Sequence, residues 1–182
     1  MATLNHRRRL ATTLALASCL GAAACHAPRP ARTPPASSPS PRRGVADPIG
    51  PSDPDVVGRV VEAHNAERAR RGRSPLAANP LLEAAATAHA ADMAGRRRMA
   101  HKGGDGSSPF DRIGRAGYRF RAAGENVAYG FDEVDGVMAG WMRSPGHRRN
   151  ILGDYAEIGV GRATAKDGAA YWCVTFGTPS GR

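Results

Sequence analysis

The sequence predicts a mixed α+β domain in which helices cover a small antiparallel sheet. Three observations lead to this fold class. Early segments space their apolar residues as helices do, and residues 118–130 alternate large and small side chains around a glycine. Residues 157–163 alternate and residues 170–176 are strong strand formers, which together predict a hairpin. The predicted order is therefore helices, strand, helix and hairpin, which is typical of an α+β domain.

The first three predicted helices each begin at a capping residue that is followed by proline. These capping residues are Asp53, Asn79 and Ser108. Side chains of this type accept hydrogen bonds from the free N–H groups of a helix start, and a proline directly after them forfeits no bond. The first helix should end near Arg71 and the third near Gly117. His64 and His89 fall on the apolar faces of the first two helices, so we expect both in the core.

The second half of the chain predicts one more helix and the hairpin. Asp132 should cap a helix that ends at the break Ser144-Pro145-Gly146. Residues 157–163 and 170–176 then form two strands around a turn at 166–168.

The N-terminal 54 residues predict export and a tether. Residues 1–19 combine a basic start, an apolar run and small residues, as an export signal does. The run that ends at Cys19 resembles a bacterial lipobox, which would make Cys19 the lipidation site, with Cys25 as the alternative. Residues 20–54 hold most of the chain's prolines and few large apolar side chains, which predicts a disordered tether. Residues 55–182 remain for the domain, which we expect to be monomeric.

Charge and cysteine content narrow the function classes. The formal net charge is +10, but seven arginines of the first 54 residues contribute much of it, and 19 basic and 14 acidic residues remain in the domain. Basic and acidic residues are interspersed, and no row of basic residues contains the aromatic side chains that stack on bases. We therefore expect no nucleic-acid partner. An anionic envelope polymer is the more plausible partner. Cys173 is the sole cysteine of the domain, which excludes an internal disulfide and favours a small buried hydrophobe.

Several motifs together resemble the CAP superfamily, named for cysteine-rich secretory proteins, antigen 5 and plant pathogenesis-related proteins, and above all its bacterial SCP-like extracellular branch. The matching positions are His64-Asn65 with Arg68 and Gly72, Pro75-Leu76, the set Ala85, Ala86, His89, Asp92 and Met93, Met99-Ala100-His101, Gly124-Glu125-Asn126, Trp141 to Leu152 (W-x-x-SPGHR-x-NIL), and Glu157 to Gly161. The resemblance covers residues 56–178 and implies an α-β-α sandwich around a three-stranded antiparallel sheet.

The same resemblance implies a cleft with two histidines and two glutamates that holds a divalent metal such as zinc. His101, Glu125 and His147 match three of the four positions. Ser144 stands near the position of the second glutamate, and Glu157 is the candidate replacement. Imidazole nitrogen and carboxylate oxygen are both ordinary zinc ligands.

Each candidate residue also has a structural interpretation. His101 could lie on a loop without a partner, His147 could cap the break before it, and Glu125 could accept backbone hydrogen bonds in a turn. Ser144 and His147 lie three residues apart, but the intervening Pro-Gly is explained by a turn, so we do not assign a Ser/His nucleophile.

The sequence leaves two main functions. The first is an exported binding or interaction module of the cell envelope, secreted or lipid-anchored, whose partners are a lipid or sterol or an anionic polymer. The alternative is a metal-assisted hydrolase or peptidase acting on envelope material, with Glu125 as general base and His147 in the metal site. A structural spacer is a third, weaker hypothesis. We favour the binding module, because no complete nucleophile and base set is visible.

Overall fold

A computed structural model describes residues 53–181, which contain five helices and four strands. The helices are α1 (Pro54–Ala69), α2 (Pro80–Arg96), α3 (Pro109–Arg115), α4 (Val134–Arg143) and α5 (Pro145–Ile151). The strands are β1 (Ala77–Ala78), β2 (Phe120–Tyr129), β3 (Glu157–Thr164) and β4 (Ala170–Pro179). The predicted export signal with Cys19 and Cys25 lies outside the described residues, as does the tether up to residue 52.

The predicted helix starts agree with the structure. Asp53, Asn79 and Ser108 each cap a helix through the side chain, and proline is the first helical residue in all three. The start of α4 differs, because Glu133 is its N-terminal flanking residue and makes no side-chain capping bond. Helix α1 ends at Ala69, two residues before the predicted end.

The sheet has four strands in the order β1-β3-β4-β2, one more than predicted. Strands β2, β3 and β4 form the expected antiparallel sheet, and β1 adds a short parallel pair in which Ala77 lies opposite Glu157. Two exposed alanines carry no strand pattern, so the sequence does not reveal β1. Tertiary contacts form it instead, since Asn65 binds both the N–H and the C=O of Leu76.

The α-β-α sandwich is confirmed. On one face of the sheet, α1, α4 and α5 bury a core that includes Trp141, Trp172 and Phe176. On the other face, α2 packs its alanines and Met93 against Val127 and Cys173. His64 is fully buried on the first face between the rings of Trp141 and Phe176, as the apolar face of α1 predicted.

The break at Ser144 ends α4 but also begins a helix that the sequence did not predict. Ser144 is extended, Pro145 is the first residue of α5, and the helix continues to Ile151. His147 therefore lies inside a helix of seven residues and not in a turn. A proline ends a preceding helix but is also favoured as the first residue of a new one. The sequence Ser144-Pro145-Gly146 is therefore compatible with the end of α4 and with the start of another helix.

Helix α2 approaches the sheet unusually closely because two residues of β3 have no side chain. A Cβ at Gly159 would overlap the backbone of Leu82 and Glu83, and one at Gly161 would overlap the backbone of Ala86 and Thr87. Both glycines are therefore required by packing, and they set the depth at which α2 carries its polar residues toward the sheet.

We expect Gly159→Ala to lower the free energy of unfolding by at least about 3 kcal/mol, because the helix backbone cannot yield to the methyl group. Gly58→Ala is the matched control, since Gly58 lies in α1 with open space around its Cβ position. The control should leave stability unchanged or raise it by about 0.5–1 kcal/mol. Urea unfolding measures both variants, and an equal effect of the two substitutions would contradict the packing argument.

Candidate functional site

Glu125 is a buried carboxylate at the centre of the site. It lies in the buried part of β2, on the face that α2 covers, and only 5% of the residue is exposed. Arg112 Nη2 donates to its Oε2 over 2.6 Å, and His101 Nδ1 lies 2.9 Å from its Oε1. A buried carboxylate needs such partners, because leaving it without them costs several kcal/mol.

Helix α3 holds Arg112 in place. Ser108 and Asp111 form a capping box that fixes the start of this helix. From there the Arg112 guanidinium also donates to the backbone oxygens of Ser107 (3.0 Å) and His101 (2.9 Å). The same side chain thus holds the loop before α3 and the carboxylate of Glu125.

His101 is the exposed member of the site. Its side chain is 45% exposed, although its Nδ1 is bonded to the buried Glu125. A carboxylate only accepts hydrogen bonds when ionised, so Nδ1 carries the proton and Nε2 of the neutral ring presents a lone pair. A carboxylate that orients a histidine in this way is the usual arrangement behind a metal-binding imidazole.

The second imidazole belongs to His147. This residue lies in α5, and most of its surface is buried. Burial lowers the pKa of His147, and the positive charge of a protonated His101 lowers it further. The ring is therefore neutral near pH 7, which is the form that binds metals.

Two asparagines fix α5 against β2. Asn126 Nδ2 donates to the backbone oxygen of His147 over 3.1 Å, and Asn150 Nδ2 donates to the backbone oxygen of Glu125 over 3.0 Å. Asn150 Nδ2 also lies 2.9 Å from Asn126 Oδ1. The Gly-Glu-Asn motif and the NIL segment are thereby joined.

The structure adds residues that the sequence did not assign to the site. Arg112 binds Glu125 directly, and His89 Nε2 lies 3.9 Å from Glu125 Oε1 while it bonds the backbone oxygen of Ala100 at 2.8 Å. His89 is buried, as predicted, but it also holds the chain next to His101. The helical pattern around His89 indicated burial alone, and no signal marked Arg112 among the many arginines.

Cys173 behaves as the predicted small hydrophobe. It is fully buried, and its Sγ lies 3.5 Å from Glu125 Oε2. Burial and the negative charge of Glu125 raise the pKa of the thiol well above its ordinary value. A thiol in this state is a poor nucleophile and a poor metal ligand.

Glu157 does not join the other three predicted residues. It lies opposite Gly177 on β4, whereas Glu125 lies opposite Thr175, so the two glutamates flank β4 with an offset of two positions. Ordinary strand spacing then separates their Cα atoms by about 12 Å. The carboxylate of Glu157 accepts a hydrogen bond from the Tyr118 hydroxyl at 2.5 Å. Both carboxylates thus have hydrogen-bond partners on different elements.

The electrostatics of Glu125 decide how a metal would fit. Burial alone would raise the pKa of Glu125, but the His101 hydrogen bond and the charges of His89 and Arg112 hold it below its ordinary value. Both carboxylate oxygens are engaged. Among residues 53–181, no three His, Cys, Asp or Glu side chains are arranged as a metal-binding group. A metal held here, as the family resemblance implies, would have the imidazoles of His101 and His147 as its candidate donors, with Glu125 bonded to His101.

We expect Arg112→Met to destabilise the fold by about 3–5 kcal/mol, because it leaves the Glu125 carboxylate buried without its strongest partner. Arg115→Met is the control on the same helix, since the Arg115 and Asp105 side chains are 59% and 53% exposed. The control should barely change the unfolding midpoint in urea. If both variants unfold at the wild-type midpoint, the Arg112–Glu125 pair does not support the site as described.

Comparison with known proteins places the chain in a family. It is 39% identical over 104 residues to YkwD of Bacillus subtilis. The matched region covers 57% of this chain and 40% of YkwD. The membrane protein YlbC of the same organism is 30% identical over 104 residues, covering 57% of this chain and 30% of YlbC. The chain thus matches less than half the length of either relative.

Solved structures with the same fold come from other bacteria. An extracellular protein with an SCP domain from Bacillus anthracis superposes with a TM-score of 0.61 at 26% identity, covering 71% of this chain and 45% of that one. An outer surface protein of Borrelia burgdorferi superposes with a TM-score of 0.63 at 24% identity, covering 68% of this chain and 92% of that one. The cysteine-rich secretory protein family itself matches residues 61–176. The chain belongs to this family, the CAP family.

Proposed function

We propose that this CAP-domain protein is an exported binding module whose cleft holds a divalent metal, such as zinc, or a polar ligand between His101 and His147. One observation carries the proposal. Glu125 engages both carboxylate oxygens with Arg112 and His101, which makes it the residue that positions His101 and leaves the two imidazoles as the candidate donors. Two neutral imidazoles suit a borderline metal such as zinc.

A metal held by two imidazoles would keep positions open for a ligand. The bound ion would supply a positive centre that attracts an anionic or polar group of a partner. His101 would present Nε2 from the loop that Arg112 holds, and His147 would be supplied by α5. The partly exposed ring of His101 provides the entry to the cleft.

The hydrolase alternative depends on Glu125 as general base. An efficient base has a pKa near the working pH and an oxygen that can reach the proton. Glu125 has a lowered pKa and donors on both oxygens, so these features support binding over catalysis. The charge of Arg112 beside the carboxylate opposes its protonation.

Export is supported by the N-terminal signal pattern and by similarity to proteins outside the cytoplasm. The Bacillus anthracis structure is described as extracellular and the Borrelia protein as an outer surface protein. No helix within residues 53–181 is long and apolar enough to span a membrane. From the signal pattern and the extracellular relative we infer that the domain lies in the cell envelope or outside the cell, with a lipid anchor at Cys19, or alternatively at Cys25, as the proposed attachment.

An anionic envelope polymer is the partner class that the surface favours. Arg143, Arg148 and Arg149 are exposed around a groove of about 290 Å³ at the junction of α4 and α5. The apolar side chains of Met142 and Leu152 also line it. Clustered arginines raise the local concentration of polyanions. This groove lies on the helix that carries His147, so a bound polymer would pass near the cleft.

Zinc binding tests the cleft. Calorimetry on the full chain at neutral pH should show one bound ion, and His101→Ala and His147→Ala should each weaken binding at least about tenfold, because each removes a donor. Lys102→Ala is the control next to His101, and Glu157→Gln should also leave affinity unchanged because Glu157 is bonded to Tyr118.

Two results would contradict this assignment. The absence of zinc uptake by the wild type would eliminate the metal, and a loss in Glu157→Gln as large as that in His101→Ala would place Glu157 among the ligands.

Polymer binding tests the arginine groove. Arg148→Glu combined with Arg149→Glu should abolish salt-sensitive binding to poly(glycerol phosphate), since the attraction is electrostatic. Arg70→Glu with Arg71→Glu makes the same change in net charge at the end of α1 and should retain binding. Equal loss in both variants would show that overall charge, not the groove, attracts the polymer. Tighter binding to neutral sterol-containing vesicles would favour a lipid or sterol partner instead.

A further inference from the structure

A pocket of about 280 Å³ lies at the end of the domain where α1 finishes and β2 begins. The segments around it are residues 68–74, residues 154–156, the start of β2 and the end of β4. Its lining residues within 53–181 include neither histidine of the cleft and none of the arginines of the groove between α4 and α5. The pocket is therefore separate from both sites proposed above.

The pocket carries an excess of positive charge. Of the residues 53–181, three arginines and one aspartate line it, which leaves two positive charges in excess. Asp154 Oδ1 lies 3.4 Å from Arg73 Nη1, but the Asp154 side chain is 99% exposed, so water screens this pair. Arg121 is exposed, and its guanidinium forms no ion pair within the described part of the chain. Two of the arginines are thus available to an anion that enters from solvent.

The third arginine, Arg68, is a buried cation whose hydrogen-bond acceptors within residues 53–181 are all backbone oxygens. Only 2% of the residue is exposed. Its guanidinium donates to the oxygens of Ser74 at 2.7 Å and of Ile151 and Gly153 at 2.8 Å. These bonds satisfy its N–H groups but supply no full negative charge. Burial lowers the pKa of Arg68, and the positive charge of Arg73 lowers it further. An anion in the pocket would offset this charge through space, without touching Arg68.

The amount of charge and the size of the pocket favour a small phosphate. Guanidinium groups bind carboxylate and phosphate oxygens through paired N–H groups. A carboxylate brings one negative charge, whereas a phosphate monoester carries about −1.5 to −2 near pH 7, which matches the excess of two positive charges. The volume of about 280 Å³ is below the roughly 300–1,000 Å³ of sites for drug-sized molecules, so the ligand is small.

We propose that this pocket binds a dianionic phosphate group, either inorganic phosphate or the monoester of a small molecule. Arg73 and Arg121 donate to the phosphate oxygens, and Arg68 contributes its charge from the buried side. Asp154 weakens binding, because its carboxylate repels the phosphate and competes for Arg73. The proposal depends neither on metal in the histidine cleft nor on polymer in the arginine groove.

The test is NMR titration of the ¹⁵N-labelled full chain with inorganic phosphate and, separately, with glycerol 3-phosphate, at constant ionic strength. At least one of them should shift the Nε–H resonances of Arg73 and Arg121, whereas acetate should not. Arg73→Gln and Arg121→Gln should each weaken binding about fivefold, the size expected when one exposed charge pair is lost. Arg119→Gln is the matched control, since Arg119 is exposed two residues before Arg121 and does not line the pocket. It should bind as the wild type does.

Asp154→Asn tests the sign of the electrostatic argument. Removing this carboxylate should tighten phosphate binding about threefold, because it removes a nearby like charge from the ligand. Tighter binding of glycerol 3-phosphate than of inorganic phosphate would identify an organic monoester as the ligand, and equal or weaker binding would identify free phosphate. The proposal is overturned if neither phosphate moves the Nε–H resonances, if acetate moves them as much, if Arg119→Gln weakens binding as much as Arg121→Gln, or if Asp154→Asn fails to tighten it.

Discussion

The buried ion pair between Arg112 and Glu125 is the interaction on which the site depends. It joins the middle of β2 to α3, and through the Arg112 bond to the backbone oxygen of His101 it also fixes the loop between α2 and α3. Such a pair persists only because its desolvation is offset by well-placed partners, here His101 on one oxygen and Arg112 on the other. The packing of α2 on Gly159 and Gly161 brings His89 close enough to add its own contact.

This arrangement assigns different roles to residues that look equivalent in sequence. Glu125 and the two histidines all carry metal-ligand chemistry, but the glutamate is committed to internal partners whereas the ring of His101 reaches solvent. His147 owes its position to α5, which Asn126 and Asn150 hold against β2. A site built in this way is suited to holding a ligand in a fixed geometry, because internal hydrogen bonds hold its side chains in position before the ligand binds.

Much of the fold could be predicted from local signals. The capping residues at 53, 79 and 108 mark helix starts by a mechanism that acts within a few residues. The strong strand formers at 170–176 mark β4, which is buried on both faces of the sheet. Strand β1 and helix α5 could not be predicted in the same way, because a two-residue strand depends on pairing with β3 and a Ser-Pro break can end or begin a helix. In the site, the motifs indicated His101, Glu125 and His147. Arg112 and the second role of His89 follow only from contacts between distant segments, which carry no local pattern.

In the proposed site, Glu125 orients His101 and does not itself ligate the metal or take a proton. A crystal structure of the protein with zinc bound measures this directly. We expect imidazole nitrogens of His101 and His147 at about 2.0–2.1 Å from the ion, with the Glu125 carboxylate still bonded to Arg112 and to His101. A Glu125 oxygen at about 2.0–2.2 Å from zinc, with Arg112 displaced, would contradict it.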